Sequence, residues 1–227
     1  MIPDKKIKKQ FKKEASENPE SFYPTSFLKK EGFGRKACSK CGMFFWTVNE
    51  NREICGDPAC IGEVDIETSP AKNSLDYVQV WQEIVKKLEP RGYKPIERYP
   101  VIARWNPTAD FTMASIAAFQ PYVITGEVEP PARKLLIPQI SLRFGDIDNV
   151  GITGSHMTGF VMIGQHMFVD ESEWNQERAF KDIYDYLVES IGVDKKELTI
   201  HEDAWAGGGN FGQIGRASCR ERVCHRV

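Results

Sequence analysis

The sequence predicts an α+β fold. Two kinds of pattern support this: in some segments apolar residues recur every three or four positions, as in amphipathic helices, and in others they alternate with polar residues, as in strands. The two patterns do not follow each other at the regular spacing of βαβ units, which argues against a doubly wound sheet. Of the 227 residues, 41% are hydrophobic and 27% are charged, so we expect one medium or two small domains with a core.

The composition also limits the class of function. No apolar run approaches the ~18 residues of a membrane span, and the charged start of the chain has no apolar stretch after it, as a signal peptide would. We therefore expect a cytoplasmic protein with no membrane partner. The 30 Lys and Arg residues against 32 Asp and Glu give a formal net charge of −2, so nothing indicates DNA binding, and any RNA contact must come from a local basic patch.

Residues 1–65 are expected to form a small N-terminal module, because they contain four of the six cysteines and short segments between glycines. The module begins with a lysine cluster that offers one such basic patch. A solvated, frayed terminus is the favoured interpretation of this cluster. The lysines concerned are Lys5, Lys6, Lys8, Lys9, Lys12 and Lys13.

Four cysteines of this module have the spacing of a metal site. Cys38 and Cys41 form a CxxC pair, and Cys55 and Cys60 form a second pair after thirteen intervening residues. Four thiolates suit tetrahedral Zn²⁺, whose binding, on the order of 10 kcal/mol, would stabilise a module with little core. A catalytic metal is disfavoured because four cysteine ligands leave no open position. The alternatives are reduced structural cysteines or, in a secreted protein, two disulfides.

The segment after this module predicts a helix and a strand. The helix begins after Ser74, a candidate N-cap, and is stopped by Pro90 and Gly92. A strand is expected over 99–105, and a short apolar segment over 111–119. The apolar residues at helical spacing are Leu75, Val78, Trp81, Ile84, Val85 and Leu88.

Residues 138–168 predict a strand, a long polar loop and a returning antiparallel strand. Apolar and polar residues alternate over 138–144, which puts Arg143 on a polar, solvent-facing side. A planar guanidinium on a sheet suits bidentate binding of phosphate, and Phe160 and Met162 on one face of the return strand suit a flat ring. An ordinary hairpin with a surface arginine remains the alternative on the residues alone.

The clearest helical pattern covers residues 180–191, with Gly192 in the position of a C-terminal cap. A short strand over 198–202 is expected to lead into a glycine run at 207–209. The apolar positions of the helix are Phe180, Ile183, Tyr184, Leu187, Val188 and Ile191.

Several segments together resemble the alanyl-tRNA synthetases, in particular their archaeal branch. The segments 142–151 (LRFGDIDNVG) and 159–166 (GFVMIGQH) are similar to motif 2 of that family. Its motif 1 region is matched by 97–105 (ERYPVIARW), 111–115 (FTMAS) and 119–122 (FQPY), its glycine-rich amino-acid pocket by 201–212 (HEDAWAGGGNFG), and its cysteine-bearing extension by 41–46 and 55–58. The resemblance implies the class II synthetase fold, an antiparallel sheet flanked by helices.

The resemblance implies an ATP site on the hairpin. Arg143 matches the motif 2 arginine that contacts the α-phosphate and the substrate carboxylate, Phe160 matches the ring that stacks on adenine, and Met162 shares its face. Asp148 and His156 lie in the loop with which the family reaches the triphosphate and the acceptor end of tRNA. On the residues alone, a turn-forming aspartate and a surface histidine are equally good interpretations. Many relatives have arginine where this chain has Ser155, a departure that bears on one phosphate contact.

The implied substrates are alanine, ATP with Mg²⁺, and tRNA(Ala). Trp205, Gly207 and Gly208 match a pocket for a very small side chain, in which the indole excludes larger groups and the glycines let backbone amides approach the ligand. A flexible loop is the commoner explanation of a glycine run. Such a pocket separates alanine from glycine or serine by only ~1–3 kcal/mol, which is the reason for the family's separate editing domain.

Residues 213–227 are predicted to be non-native. They have no hydrophobic period, match no continuation of the family, and over 213–224 (QIGRASCRERVC) resemble a translated sequencing-library adapter. Cys219, Cys224 and His225 are therefore excluded from every site. We expect residues 66–212 to be a partial catalytic domain that lacks motif 3 and the tRNA-recognition and editing regions, and so to be catalytically incomplete as given.

Two functions are compatible with these patterns. The leading hypothesis is the ATP-dependent activation of alanine and its transfer to tRNA(Ala). The alternative is a zinc-ribbon protein with a degenerate synthetase-like domain that binds RNA or regulates without aminoacylation. A native sequence that continues into a motif 3 arginine and an editing domain favours the first.

Overall fold

The computed structural model describes residues 4–62, 69–107, 109–145, 147–152, 156–170, 172–202, 204–205 and 218–219. For 4–10, 58, 204–205 and 218–219 it describes the backbone alone. The chain divides into two units, the first formed by residues 1–73 with 175–227 and the second by residues 74–174. Within the described ranges, no helix is long and apolar enough to cross a membrane.

The helices and strands alternate irregularly along the chain. The helices are α1 (Asp4–Glu17), α2 (Pro19–Phe22), α3 (Thr25–Lys30), α4 (Pro58–Ile61), α5 (Tyr77–Leu88) and α6 (Gln176–Asp185), which continues into a π-helical turn (Tyr186–Ile191). Short 3-10 turns cover Glu89–Arg91, Ser115–Phe119, Ile147–Asn149 and Lys195–Glu197. The strands are β1 (Gly34–Ala37), β2 (Phe44–Thr47), β3 (Lys94–Pro95), β4 (Lys134–Leu142), β5 (Gly159–Met167), β6 (Ile200–His201), β7 (Ala204–Trp205) and β8 (Ser218–Cys219).

The first unit contains a sheet in the order β1-β2-β6. Its strands are antiparallel, and β2 joins β6 through the pairs Phe45 with His201 and Trp46 with Ile200. The strand predicted over 198–202 is thereby confirmed, although only two of its residues pair with β2. The domain boundaries predicted near residues 65 and 212 fall outside the described residues and stay predictions.

The N-terminal lysine cluster lies on α1, so the prediction of a frayed terminus is wrong. The helix is anchored from its second half, where Ala15 is fully buried. Phe11 packs edge-to-face on Phe22 with the ring centroids 5.4 Å apart. Burial of one apolar face stabilises a helix whose lysines alone would repel each other.

The helix predicted over 180–191 is confirmed as α6 and its π-helical turn. Its N-cap is Asn175, whose side chain accepts a hydrogen bond from the backbone N–H of Arg178, and its C-cap is Gly192, which has a φ of 77°. A positive φ suits glycine because it has no Cβ. The buried face carries Tyr184, whose ring lies 5.2 Å from that of Phe27.

The second unit contains a sheet in the order β3-β4-β5. β4 pairs with β5 in antiparallel fashion and with the short β3 in parallel. The core beside the sheet is formed by the buried Phe119, Leu135 and Ile137. The antiparallel hairpin with flanking helical segments confirms the predicted α+β class.

Two local predictions for this unit are wrong. Helix α5 begins after Asp76 and not after Ser74, because Asp76 and Gln79 form a capping box in which both hydrogen bonds measure 2.8 Å. No strand forms over 99–105, where a single bridge joins Ile102 to Phe111. Pro100 has no N–H for a ladder, and the backbone groups of Tyr99 bond instead to the side chain of Gln139.

Candidate functional site

The candidate site is built on the hairpin of β4 and β5. The two strands are paired over their full length, with Ser141 opposite Phe160 and Gln139 opposite Met162. Opposite residues of an antiparallel pair lie on the same face, and Arg143, two residues after Ser141, continues that face. The predicted arrangement of a strand, a loop and a strand is confirmed, and Phe160 and Met162 share one face as expected.

This face is not the solvent-facing side that the polar alternation predicted. Gln139 and Ser141 are both 0% exposed. The segment before the hairpin covers them: the Gln139 amide accepts from the N–H of Tyr99 at 2.9 Å and donates to its carbonyl at 3.0 Å. The polar residues therefore face inward because they are hydrogen-bonded there, and burial of a satisfied amide carries little penalty.

Arg143 is exposed, as predicted. It follows the last residue of β4, and its backbone N–H donates to the carbonyl of Thr158 at 2.9 Å. Its Nε donates to the carbonyl of Met113 at 2.9 Å, and its guanidinium carbon lies 5.1 Å from the centroid of the Phe160 ring. A guanidinium anchored in this way presents a fixed, permanently charged fork that suits paired anionic oxygens.

The remaining predicted ATP-site residues lie on β5 and in the hairpin loop. Phe160 and Met162 are half-buried on β5, so part of each side chain is accessible. Asp148 is exposed on the 3-10 turn of the loop, and His156 is half-buried near the start of β5. Ser155 lies outside the described residues. A contact between a ligand and either Asp148 or His156 stays a prediction.

Sequence analysis missed a polar pair on the same face. His166 lies on β5, and its Nε2 shares a hydrogen bond of 3.0 Å with Oγ of Ser115, which is 5% exposed. Burial lowers the pKa of His166 to about 4, so the imidazole is neutral near pH 7. Both residues fall in segments that resemble the family's motifs, Ser115 in 111–115 and His166 in 159–166. The sequence does not indicate that the two side chains meet, because they lie 51 residues apart in the chain.

The four cysteines of the N-terminal module come together. The Sγ atoms of Cys38, Cys41, Cys55 and Cys60 all lie within 4.8 Å of one another, and those of Cys41 and Cys55 are 3.8 Å apart. Zinc–sulfur bonds of ~2.3 Å in a tetrahedron place the sulfurs ~3.8 Å apart. The residues present therefore fit a metal ion with four thiolate ligands, and no disulfide joins them.

The environment of this cluster favours a thiolate at one position. Burial raises the pKa of the Cys38 thiol, but N–H donors from the backbone of Cys55, Cys41 and Lys40 outweigh it and lower the pKa to about 6. Burial also raises the pKa of Cys55 and of Cys60. Because the metal ligand is the thiolate, a bound cation would have to displace the protons of Cys55 and Cys60.

The predicted amino-acid pocket is described only in part. Trp205 belongs to β7 in the first unit, and its backbone pairs with Ser218 of β8; its side chain is outside the described set. Gly207 and Gly208 are outside it as well. Most of residues 213–227, predicted to be non-native, also lie outside, with the exception of the two residues of β8.

The strand before this pocket is fixed by a buried acid that sequence analysis did not single out. The side chain of Glu202 is 2% exposed and accepts from Arg35 Nε at 2.6 Å. It also accepts from the Trp46 indole N–H at 2.8 Å. The carboxylate of Glu202 raises the pKa of Arg35, which stays charged. The hairpin that carries the first cysteine pair is thus joined to the residues just before Trp205.

One protein family matches most of the chain. The family model described as tRNA synthetases class II (A) matches residues 79–222. That match runs past Gly212 into the segment predicted to be non-native, whose origin stays a prediction.

Curated relatives cover nearly the whole chain. The chain is 46% identical over 214 residues to an alanine–tRNA ligase of Methanocella arvoryzae. The matched residues make up 93% of this chain and 24% of the relative. The alanine–tRNA ligase of Nitrosopumilus maritimus is 39% identical, with 90% and 23% covered, and that of Ignicoccus hospitalis is 42% identical, with 85% and 22% covered. The chain thus spans about a quarter of the length of these relatives.

Proposed function

Because the chain belongs to the class II (A) tRNA synthetases, we propose that it provides part of the site at which an alanine–tRNA ligase activates alanine. Activation joins the alanine carboxylate to the α-phosphate of ATP, with release of pyrophosphate, and the alanyl group then passes from the adenylate to tRNA(Ala), with release of AMP. The protein acts in the cytoplasm. Relatives named alanine–tRNA ligase that cover about nine-tenths of the chain support the choice of amino acid.

The arrangement of Arg143 beside Phe160 is the observation that carries this proposal. The carboxylate attacks the α-phosphorus while negative charge builds on the phosphoryl oxygens, so the site acts mainly by positioning and by charge stabilisation. The fork of Arg143 binds an α-phosphate oxygen and the carboxylate. Phe160 and Met162 form the apolar side against adenine. Mg²⁺ that enters with ATP neutralises phosphate charge.

The amino-acid pocket is assigned to Trp205, Gly207 and Gly208. An indole wall limits the side chain to a methyl group, and glycines let backbone N–H groups reach the ligand. Asp148 and His156 in the hairpin loop are assigned to the triphosphate and to the acceptor end of tRNA(Ala). These assignments rest on the resemblance to the family.

The cysteine cluster is proposed as a structural zinc site. Its four sulfurs have separations that suit a tetrahedral ion. Zinc supplies structural cross-linking when bound, and four thiolates leave no position for a substrate. The site is therefore assigned to stabilising the fold and takes no part in the reaction.

Substitution of Arg143 tests the proposal in the full-length protein that contains this chain. Arg143→Ala removes the fork, and Arg143→Lys keeps the charge without its geometry. Both are expected to lose at least about a hundredfold in alanine-dependent pyrophosphate exchange, the effect of removing a preorganised transition-state contact. Unchanged thermal unfolding serves as the control for the fold. Exchange at the wild-type rate in a folded Arg143→Ala protein contradicts the phosphate role.

A further inference from the structure

The carbonyl that holds Arg143 belongs to a segment that is tied down on one side by the hairpin. Thr112 is 0% exposed; its N–H donates to Val101 at 2.8 Å, and its carbonyl accepts from the N–H of Leu142 at 2.9 Å. Its hydroxyl donates to the carbonyl of Pro100 at 3.1 Å. The backbone just before Met113 is therefore fixed to the end of β4.

The other side of the same segment is tied down by the polar pair on β5. Ser115, two residues after Met113, shares the 3.0 Å hydrogen bond with His166. The His166 ring is in turn held by Phe119, at 5.1 Å between ring centroids. The pair holds the segment around Met113 against β5, the strand that pairs with β4. Arg143 directly follows β4.

Gly164 allows this close approach. A Cβ added at this position would lie 2.6 Å from the Cβ of Ser115, a separation that side-chain carbons do not adopt without a shift of the backbone. Glycine is thus required here by contact with Ser115, since its backbone angles are not in the left-handed region.

We propose that Ser115 and His166 are positioning residues for Arg143. Gly164 has no side chain and so leaves room for their hydrogen bond. Their hydrogen bond fixes the Met113 carbonyl, which accepts from Arg143 Nε and so sets the direction of the guanidinium fork. The inference rests on the proposed role of Arg143 in adenylate formation. A misplacement of about 1 Å in a reacting geometry can cost about a hundredfold in rate, so the pair affects kcat without touching a substrate.

Two kinds of variant disturb this support. Ser115→Ala deletes the hydroxyl and leaves the volume almost unchanged, and His166→Phe keeps a ring against Phe119 while it removes the hydrogen bond. Each is expected to lower kcat of alanine-dependent pyrophosphate exchange by about ten- to a hundredfold in the full-length protein, with a smaller change in KM for ATP. Thr125→Ala is the matched control, because this exposed hydroxyl bonds only locally, to Tyr122 and Glu127.

A double-mutant cycle separates positioning from a general effect on the fold. Arg143→Lys has no Nε donor for the Met113 carbonyl, so Ser115→Ala is expected to cause little further loss in that background. An equal loss in both backgrounds overturns the inference and leaves the role of Arg143 intact. Wild-type exchange by Arg143→Lys and Arg143→Ala contradicts the proposed function as well. If Ser115→Ala does not fold, as judged by thermal unfolding, the cycle is run with His166→Phe.

Discussion

The guanidinium of Arg143 is held at two points. Nε donates to the Met113 carbonyl at 2.9 Å, and the guanidinium carbon lies 5.1 Å from the Phe160 ring centroid. An arginine side chain otherwise has rotamer entropy worth about 2 kcal/mol. Because these contacts restrict the side chain, its charge would be preorganised for the phosphoryl transition state that we propose it binds.

Trp205 is expected to set the upper size limit of the amino-acid pocket. Trp205→Ala removes the wall, so alanine binds more weakly while larger apolar amino acids lose part of their steric exclusion. The preference for alanine over valine in pyrophosphate exchange should fall by about tenfold for each ~1.4 kcal/mol of lost discrimination. An unchanged ratio in a folded variant would place the indole in the core instead.

His166 is expected to make the fold sensitive to acid. Burial lowers its folded-state pKa from 6.5 to about 4, so over this range the unfolded chain takes up a proton that the folded chain does not. The contribution of the neutral imidazole is therefore present above pH 6.5 and is lost as the pH falls toward about 4. His166→Phe should show a smaller drop in urea midpoint between neutral pH and about pH 5. An equal drop in both proteins would rule out this contribution.

The alternation of polar and apolar residues in β4 predicted which residues share a face of the sheet. It did not predict which face is buried. Period two identified Gln139, Ser141 and Arg143 as one face, and polarity suggested that it meets solvent. Only the folded chain shows that the backbone of Tyr99 supplies partners for the Gln139 amide. Polar side chains with fully satisfied hydrogen bonds are buried freely, and no local pattern reveals such a distant partner.

Among the elements, the hairpin of β1 and β2 is expected to depend on its cysteines for stability. The buried core around the cluster consists of Cys38, Cys55, Cys60 and Phe45, with Ile54 packed against it. So small an apolar core stabilises a fold weakly, whereas a bound metal ion contributes on the order of 10 kcal/mol in zinc-dependent modules.

The chain is expected to bind one zinc ion. Elemental analysis of protein purified without oxygen should give one equivalent for the wild type, and Cys38→Ser/Cys55→Ser should lose it together with part of the thermal stability. Cys219→Ser/Cys224→Ser is the matched control, because these thiols are not assigned to the site. Full zinc retention in the first variant, or loss in the second, would contradict the assignment.

Elements with a long repeating pattern were predicted well, whereas short ones were predicted in some cases, such as β6, and missed in others. The helix of α6 has apolar residues over several turns and a terminal glycine, so its type and its end were evident. The segment 99–105, expected to be a strand, is also rich in apolar residues. However, the backbone of Tyr99 bonds to the side chain of Gln139, and Pro100 has no N–H to donate to a sheet. β3 has only two residues, which is too short for any periodicity to identify.

At the scale of the whole molecule, segments far apart in sequence share one sheet. β2 pairs with β6, and Arg35 joins Glu202 across a sequence separation of 167 residues. Cysteine spacing predicted the cluster of four thiols, because the four cysteines lie within one short region. The link between that hairpin and the residues before Trp205 was not predictable, since strand propensity does not specify a partner.

An adenylate-forming site for alanine on this chain is tested most sharply by amino-acid-dependent pyrophosphate exchange. The full-length protein should be assayed with ATP and each of the twenty amino acids in turn. We expect the highest kcat/KM with alanine, with glycine and serine following at losses of about ten- to a hundredfold, as ~1–3 kcal/mol of discrimination implies. Exchange that depends on a different amino acid, or none above background from folded, zinc-loaded protein, would contradict the assignment of an alanine-activating site.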